Sequence, residues 1–249
     1  VIVIGAGRVG GALAQRDPDR FRLIDRERGW EQLDNPAARG EAIVLAVRND
    51  ALPEVLARIP SERRDDLVFI QNGMLRPWLR EVGLEGTTRG LLFLAVPSRG
   101  APIEPGGESP FTGPRAAAVV EAFQACGLPA SVVDEPRFRA IELEKLIWNS
   151  AFGLLCETEA CDVGTVVEDH RALLAGLVDE MLCVGEQALE VELELEPLVE
   201  RLCVYSRSIP SYRGAVKEWR WRNGWFVDTA AAQTRATPIH TRLLALIGR

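Results

Sequence analysis

The chain of 249 residues has little of what a metal or disulfide protein needs. It has two histidines and five scattered cysteines, Cys126, Cys156, Cys161, Cys183 and Cys203, an odd number with no CxxC pair. Zinc sites use closely spaced pairs and disulfide scaffolds use even sets, so neither is expected, and the thiols suit the cytoplasm or another reducing compartment. No apolar stretch approaches the ~18–20 residues of a membrane-spanning helix, so no membrane partner is expected. Positive charge is not in excess either: 29 basic residues face 36 acidic ones, a net charge of −7. A general nucleic-acid binder needs a dominant basic surface, and that class is set aside. There is no signal-peptide pattern. The chain opens inside an apolar run without an initiator Met, so a few residues are expected to precede Val1.

What remains is an ordinary globular composition, 47% hydrophobic and 26% charged. In residues 1–135 short apolar runs alternate with polar, helix-like stretches. The runs are Val1–Ile4, Phe21–Ile24, Ala42–Val47, Leu67–Ile70, Leu91–Val96 and Ser131–Val133. Alternation of this kind predicts βαβ units and a mostly parallel sheet whose strands are buried on both faces. Gly100–Gly113, rich in Pro and Gly, reads as a surface loop. Beyond Asp134-Glu135-Pro136, the expected hinge, strand signals stop. Ile141–Glu157 and Val166–Leu195 carry apolar residues at helical spacing, and Glu190–Glu196 reads as a solvated helix end. The expected fold is α/β, a doubly wound, mostly parallel sheet over 1–135 followed by a smaller all-helical domain over 136–249.

The first strand runs into Gly5-Ala6-Gly7-Arg8-Val9-Gly10, a GxGxxG turn opening a helix. In this context the motif predicts a dinucleotide-binding, Rossmann-type loop. Gly5 permits the turn, Gly7 the approach of backbone to a pyrophosphate, and Gly10 close packing of helix on strand. The amides of Arg8 and Val9 would join them at the helix N-terminus. Asp25 ends the second strand, where an acid reads ribose hydroxyls and repels a 2′-phosphate. Arg26 and Arg28 follow at once and can hold that phosphate. NAD or NADP is expected, with a slight preference for NAD.

Further landmarks follow in order: Ala46-Val47-Arg48, Gln71-Asn72-Gly73-Met74, Glu144-Lys145-Leu146-Ile147-Trp148-Asn149, then Ser211, Glu218, Asn223-Gly224 and Thr237-Pro238. Together with the glycine loop they make the chain resemble the ketopantoate reductase family, within the 6-phosphogluconate-dehydrogenase-like enzymes. The resemblance implies an NAD(P)-dependent reductase of a small 2-oxo acid or related carbonyl. It implies Arg48 and Asn72 beside the cofactor, Asn72, Lys145, Asn149 and Ser211 on the substrate, and Glu218 as an acid or an orienting group for Lys145. A homodimer through the helical domain is a possible assembly. The chain departs from the pattern at Gly153, where the family has a second Asn, and at Val163-Gly164, where it has Asn-Gly. The interval from Ser211 to Glu218 is also shorter. An imine- or opine-type dehydrogenase and a dinucleotide-binding regulator without turnover therefore stay open.

The residues support part of this reading directly. Lys145 and Asn149 are four apart and share a helix face that continues into Phe152 and Cys156, as a cleft-lining stripe would. A lysine there can stabilise a developing oxyanion and give up a proton. The competing reading is a surface lysine near Glu142. For Asn72 a ligand contact and a plain Asn-Gly turn stand equal. Arg48 serves either a phosphate, a carboxylate or the surface. The cluster Trp219 to Phe226 reads as packing, a dimer face or cation–π stacking, and His240 as a packing or capping residue.

Overall fold

The computed structural model describes residues 1–249, the side chain of Pro105 excepted. The chain divides into two units, Val1–Phe138 and Arg139–Arg249.

In the first unit the apolar runs form strands β1 (Ile2–Ile4), β2 (Arg22–Ile24), β3 (Ile43–Leu45) and β4 (Leu67–Phe69), joined by helices α1 (Arg8–Arg16) and α2 (Leu52–Ala57). Helix α3 (Arg76–Glu81) leads to β5 (Thr88–Gly90), then come β6 (Leu94–Ala95), β7 (Glu104–Pro105), β8 (Ser109–Thr112), α4 (Ala116–Ala125) and β9 (Ala130–Val132). Seven strands make one sheet in the order β2-β1-β3-β4-β5-β8-β9, parallel throughout except where β5 meets β8. The chain moves from β1 to β2 on one side and returns to β3 on the other. That reversal leaves a crevice at the carboxyl ends of β1 and β3, the usual ligand position in such sheets.

Two expectations fail here. Leu91–Val96 is not a strand of the main sheet. That place belongs to Thr88–Gly90, and Leu94–Ala95 pairs with Glu104–Pro105 in a separate two-stranded sheet. The stretch Gly100–Gly113 is not only a surface loop, because it contains β8, every residue of which is buried. Both have one cause: the buried strand β5 is polar. Thr88 Oγ1 accepts the amide of Arg115 at 2.7 Å. Arg89, buried, donates to Glu135 at 2.8 and 2.9 Å. Gly90 leaves the room that Phe111 of β8 fills, since a Cβ there would stand 2.2 Å from its ring.

Helix α5 (Glu135–Thr158) starts at the expected Asp134–Pro136 junction and crosses the division between the units. The second unit continues with α6 (Val163–Asp169), α7 (Arg171–Leu189), α8 (Leu195–Arg207), α9 (Asn223–Ala232) and α10 (Pro238–Leu246). Helix α7 is its centre, in contact with α6, α8, α9 and α10 through Leu174, Leu177, Val178, Met181 and other buried residues. The helical spacing over Val166–Leu195 resolves into two helices and the start of a third. It breaks at His170 and again at Glu190, whose left-handed backbone (φ 54°) ends α7. Glu190–Glu194 is thus a connection, not a helix end. No helix is long and apolar enough to cross a membrane.

Candidate active site

The glycine loop occupies the crevice between β1 and β3. Gly5 has φ 117°, and a Cβ on it would meet the Ala46 carbonyl at 2.7 Å. A Cβ on Gly10 would stand 2.0 Å from the Gly5 carbonyl. Both glycines are demanded by the fold itself. Gly7 differs: its φ is −73° and a Cβ would meet nothing closer than Ala46 O at 3.9 Å. Its missing side chain leaves space that the protein does not fill. Gly7 is also the N-cap of α1 and offers no side-chain cap, so the first amides of the helix, including those of Arg8 and Val9, are available to an anion.

A cleft of about 790 Å³ opens there, lined by Gly5, Gly7, Arg8, Asp25, Arg26 and Arg48 among others, within the size range of small-molecule sites. Its lining holds five arginines, Arg8, Arg26, Arg48, Arg58 and Arg99, against Asp25, Glu27 and Glu54. The residues fit a dinucleotide: an empty glycine cradle, helix amides and cationic walls suit a pyrophosphate.

The Asp25 carboxylate is already engaged. It accepts the amides of Glu27 and Arg28 at 2.9 and 2.8 Å, and the Arg28 guanidinium at 3.1 and 3.3 Å. These bonds hold its carboxyl below the usual carboxylate range. Trp30 donates to the Asp25 carbonyl at 2.9 Å. Arg58 lies 3.6 Å over the Trp30 ring and donates to the Arg26 carbonyl at 3.0 Å. Neither Trp30 nor Arg58 was found from the sequence. A Trp five residues past an acid at a strand end, and an Arg on the next helix, give no local signal. Arg48 is exposed and held by Asp50 at 2.9 Å. Asn72 is exposed beyond β4, and its carbonyl accepts the buried Asn49 side chain at 3.0 Å, so the turn is fixed while its amide faces solvent.

In the second unit, Lys145 is half-buried on α5. Burial, and secondarily the nearby Arg222 guanidinium, push its pKa down to about 7. Asn149 donates its side-chain amide to the Lys145 carbonyl at 2.8 Å. Glu218, with a left-handed backbone, gives its carboxylate to Arg222 at 2.6 Å. Lys145 and Glu218 are thus both linked to Arg222, a residue that the sequence reading did not single out. Asn223 and His240 form a buried pair at 2.9 Å, and burial lowers the His240 pKa to about 4.

Gly153, where the chain departs from the family, and Gly164, the glycine it keeps after Val163, face one segment. The segment Pro210–Val216 lies along them. A Cβ on Gly153 would strike the Ala215 carbonyl at 2.7 Å, and one on Gly164 would meet Pro210 at 3.0 Å. The Val163 and Gly164 amides donate to Tyr212 and Pro210 carbonyls at 3.0 and 2.9 Å, and Val216 donates to Glu157 at 2.8 Å. The segment carrying the exposed Ser211 therefore packs against the bare faces of Gly153 and Gly164 and leaves no room for a side chain at Gly153.

The chain is thus an α/β unit with a cleft at its glycine loop, followed by a helical unit. Residues 137–249 match the model described as "Ketopantoate reductase PanE/ApbA C terminal". No curated protein matches the chain significantly. Among solved structures, the chain is similar to D-mandelate dehydrogenase in complex with NADH (16% identity, 99% of this chain and 97% of that one, TM-score 0.76). It is similar to the dimeric ketopantoate reductase of Staphylococcus aureus (15%, 98% and 97%, 0.74) and to 2-dehydropantoate 2-reductase of Geobacter metallireducens GS-15 (16%, 100% and 99%, 0.75). The fold is that of these dehydrogenases and reductases over nearly their whole length.

Proposed function

We propose that this chain is an NAD(P)-dependent oxidoreductase that reduces the carbonyl of a small 2-oxo acid or a related compound. The observation that carries this reading is the unfilled glycine cradle at Gly7 opening into an arginine-walled cleft at the sheet's reversal point. The matching C-terminal domain and the dehydrogenase fold support it. Gly5, Gly7, Gly10 and the amides of Arg8 and Val9 would hold the pyrophosphate. Arg26 and Arg48, which line that cleft, and Asn72, just beyond β4, would contact the rest of a dinucleotide. The bound nicotinamide supplies the hydride. Lys145 would protonate the carbonyl oxygen, for which a pKa near 7 is well placed. Asn149 and Ser211 would orient the substrate, and Glu218 would act through Arg222 by setting the charge around Lys145.

Of the two cofactors, we propose NADPH, against the slight preference for NAD that the sequence alone suggested. The Asp25 carboxylate, the reason to expect NAD, is already engaged by its own loop and Arg28, and Arg26 and Arg58 line the same cleft. A homodimer through the helical unit belongs to the same reading. Val204, Tyr205, Tyr212, Val227 and Leu246 are its exposed large apolar residues.

The test is oxidation of NADPH and NADH by the purified protein against a panel of 2-oxo acids and imines. The reading expects turnover with a 2-oxo acid and faster turnover with NADPH. Turnover confined to imines would move it to the imine-type reading. Cofactor binding without turnover on any carbonyl would make the chain a binding protein.

A further inference from the structure

Arg99 belongs to none of the motifs that mark a dinucleotide site, yet it reaches the glycine loop. It follows β6 in the turn Ser98–Ala101, closed by the Ala101 amide on the Ser98 carbonyl at 3.2 Å, with Gly100 in the left-handed region at φ 84°. Both ends of this excursion are anchored, because Val96 and Ile103 are buried in the core of the sheet. Its tip is therefore placed by packing rather than left to wander. From there the Arg99 guanidinium donates to the Ala6 carbonyl, between Gly5 and Gly7, at 2.8 Å. It lines the main cleft and also a smaller cavity of about 270 Å³ on the other flank of the loop, beside Gly11 and Ala14.

An arginine has five N–H donors in a planar fork, and a single bond to Ala6 uses one of them. Arg99 is exposed and has no carboxylate partner among the described residues. Arg28 and Arg48, in contrast, are held by Asp25 and Asp50. The remaining donors of Arg99 stand beside the Gly7 cradle and the N-terminus of α1, where an anion would collect them together. We infer that Arg99 is a pyrophosphate-binding residue, a cationic strap from the β6–β7 excursion that closes over the glycine loop and complements the amides of α1. This rests on the dinucleotide reading and adds to it a binding residue from outside the fingerprint.

The experiment is calorimetric titration of the full chain and of Arg99→Ala and Arg99→Lys with NADPH and with adenosine 2′-monophosphate, which carries no 5′-phosphate. Arg99→Ala is expected to weaken NADPH at least tenfold. It should leave adenosine 2′-monophosphate within twofold and the melting temperature of the ligand-free protein unchanged. Arg99→Lys keeps the charge without the fork and is expected to lose less. NADPH affinity within twofold of wild type in Arg99→Ala overturns the proposal. Equal weakening of both ligands overturns it too, because Arg99 would then act on the shape of the loop alone. A wild-type chain that takes up no NADPH removes the dinucleotide reading itself, an outcome separate from an indifferent Arg99.

Discussion

Arginine fills 27 of the 29 basic positions in this chain, and only Lys145 and Lys217 are lysines. Arginine cannot give up its proton under ordinary conditions, whereas a lysine in a desolvated place can. That contrast was visible in the sequence and is a stronger pointer to Lys145 than its helical spacing. With a pKa near 7, the reductive rate should fall as pH rises above about 7, because the proton donor is lost. Lys145→Met should lower the rate by ~10²–10⁴, the usual weight of a general acid, with little change in NADPH affinity. The same shift bears on stability. Between pH 7 and about 10.5 the unfolded chain holds a proton on this lysine that the folded one has released, so stability rises with pH there. The cost is complete below pH 7 and fades toward pH 10.5. Lys145→Met should therefore melt higher than wild type at pH 6–7 and lose that advantage near pH 10.5, as thermal unfolding across pH would show. His240 titrates in a lower window. Its folded pKa of about 4 lies below the ordinary 6.5. Its contribution is whole above pH 6.5 and lost as pH falls toward 4. His240→Gln should flatten the acid side of the stability profile between those values. No flattening would mean that the folded state does not hold the His240 pKa below its ordinary value.

At the scale of elements, the sequence was legible where burial and apolarity coincide. Strands β1, β3 and β4 read directly because Ile2–Ile4, Ile43–Leu45 and Leu67–Phe69 are apolar and buried throughout. The glycine loop read directly because steric demand leaves only Gly at positions 5 and 10. Strands β5 and β8 did not, since Thr88 and Arg89 are buried through polar partners and β8 contains Pro110, a residue usually kept out of central strands. The break at His170 carries no Gly or Pro to announce it. Gly153 was seen as a departure, but its reason lies in a segment some sixty residues further on. Gly153→Ala tests that packing. The new methyl would press on the Ala215 carbonyl, and overpacking of this kind costs ~1–3 kcal/mol. That exceeds the ~1 kcal/mol that helix propensity returns, so the melting temperature should drop. A rise would show that Pro210–Val216 yields freely and does not define the wall.

For the whole molecule, the charge distribution matters more than the net value. A chain of net charge −7 keeps five arginines around one cleft of its first unit, so anion binding there should weaken as salt rises. The central claim is that this cleft takes a nicotinamide dinucleotide at the glycine loop. Its most direct test is titration of the wild type and of Gly7→Val with NADPH, alongside thermal unfolding of both without ligand. Because Gly7 has an ordinary backbone and open space beyond its Cα, the variant should unfold at the wild-type temperature. The wild type should bind saturably, and Gly7→Val should lose most of that binding. A wild type that does not bind, or a folded Gly7→Val that binds equally well, would contradict the account.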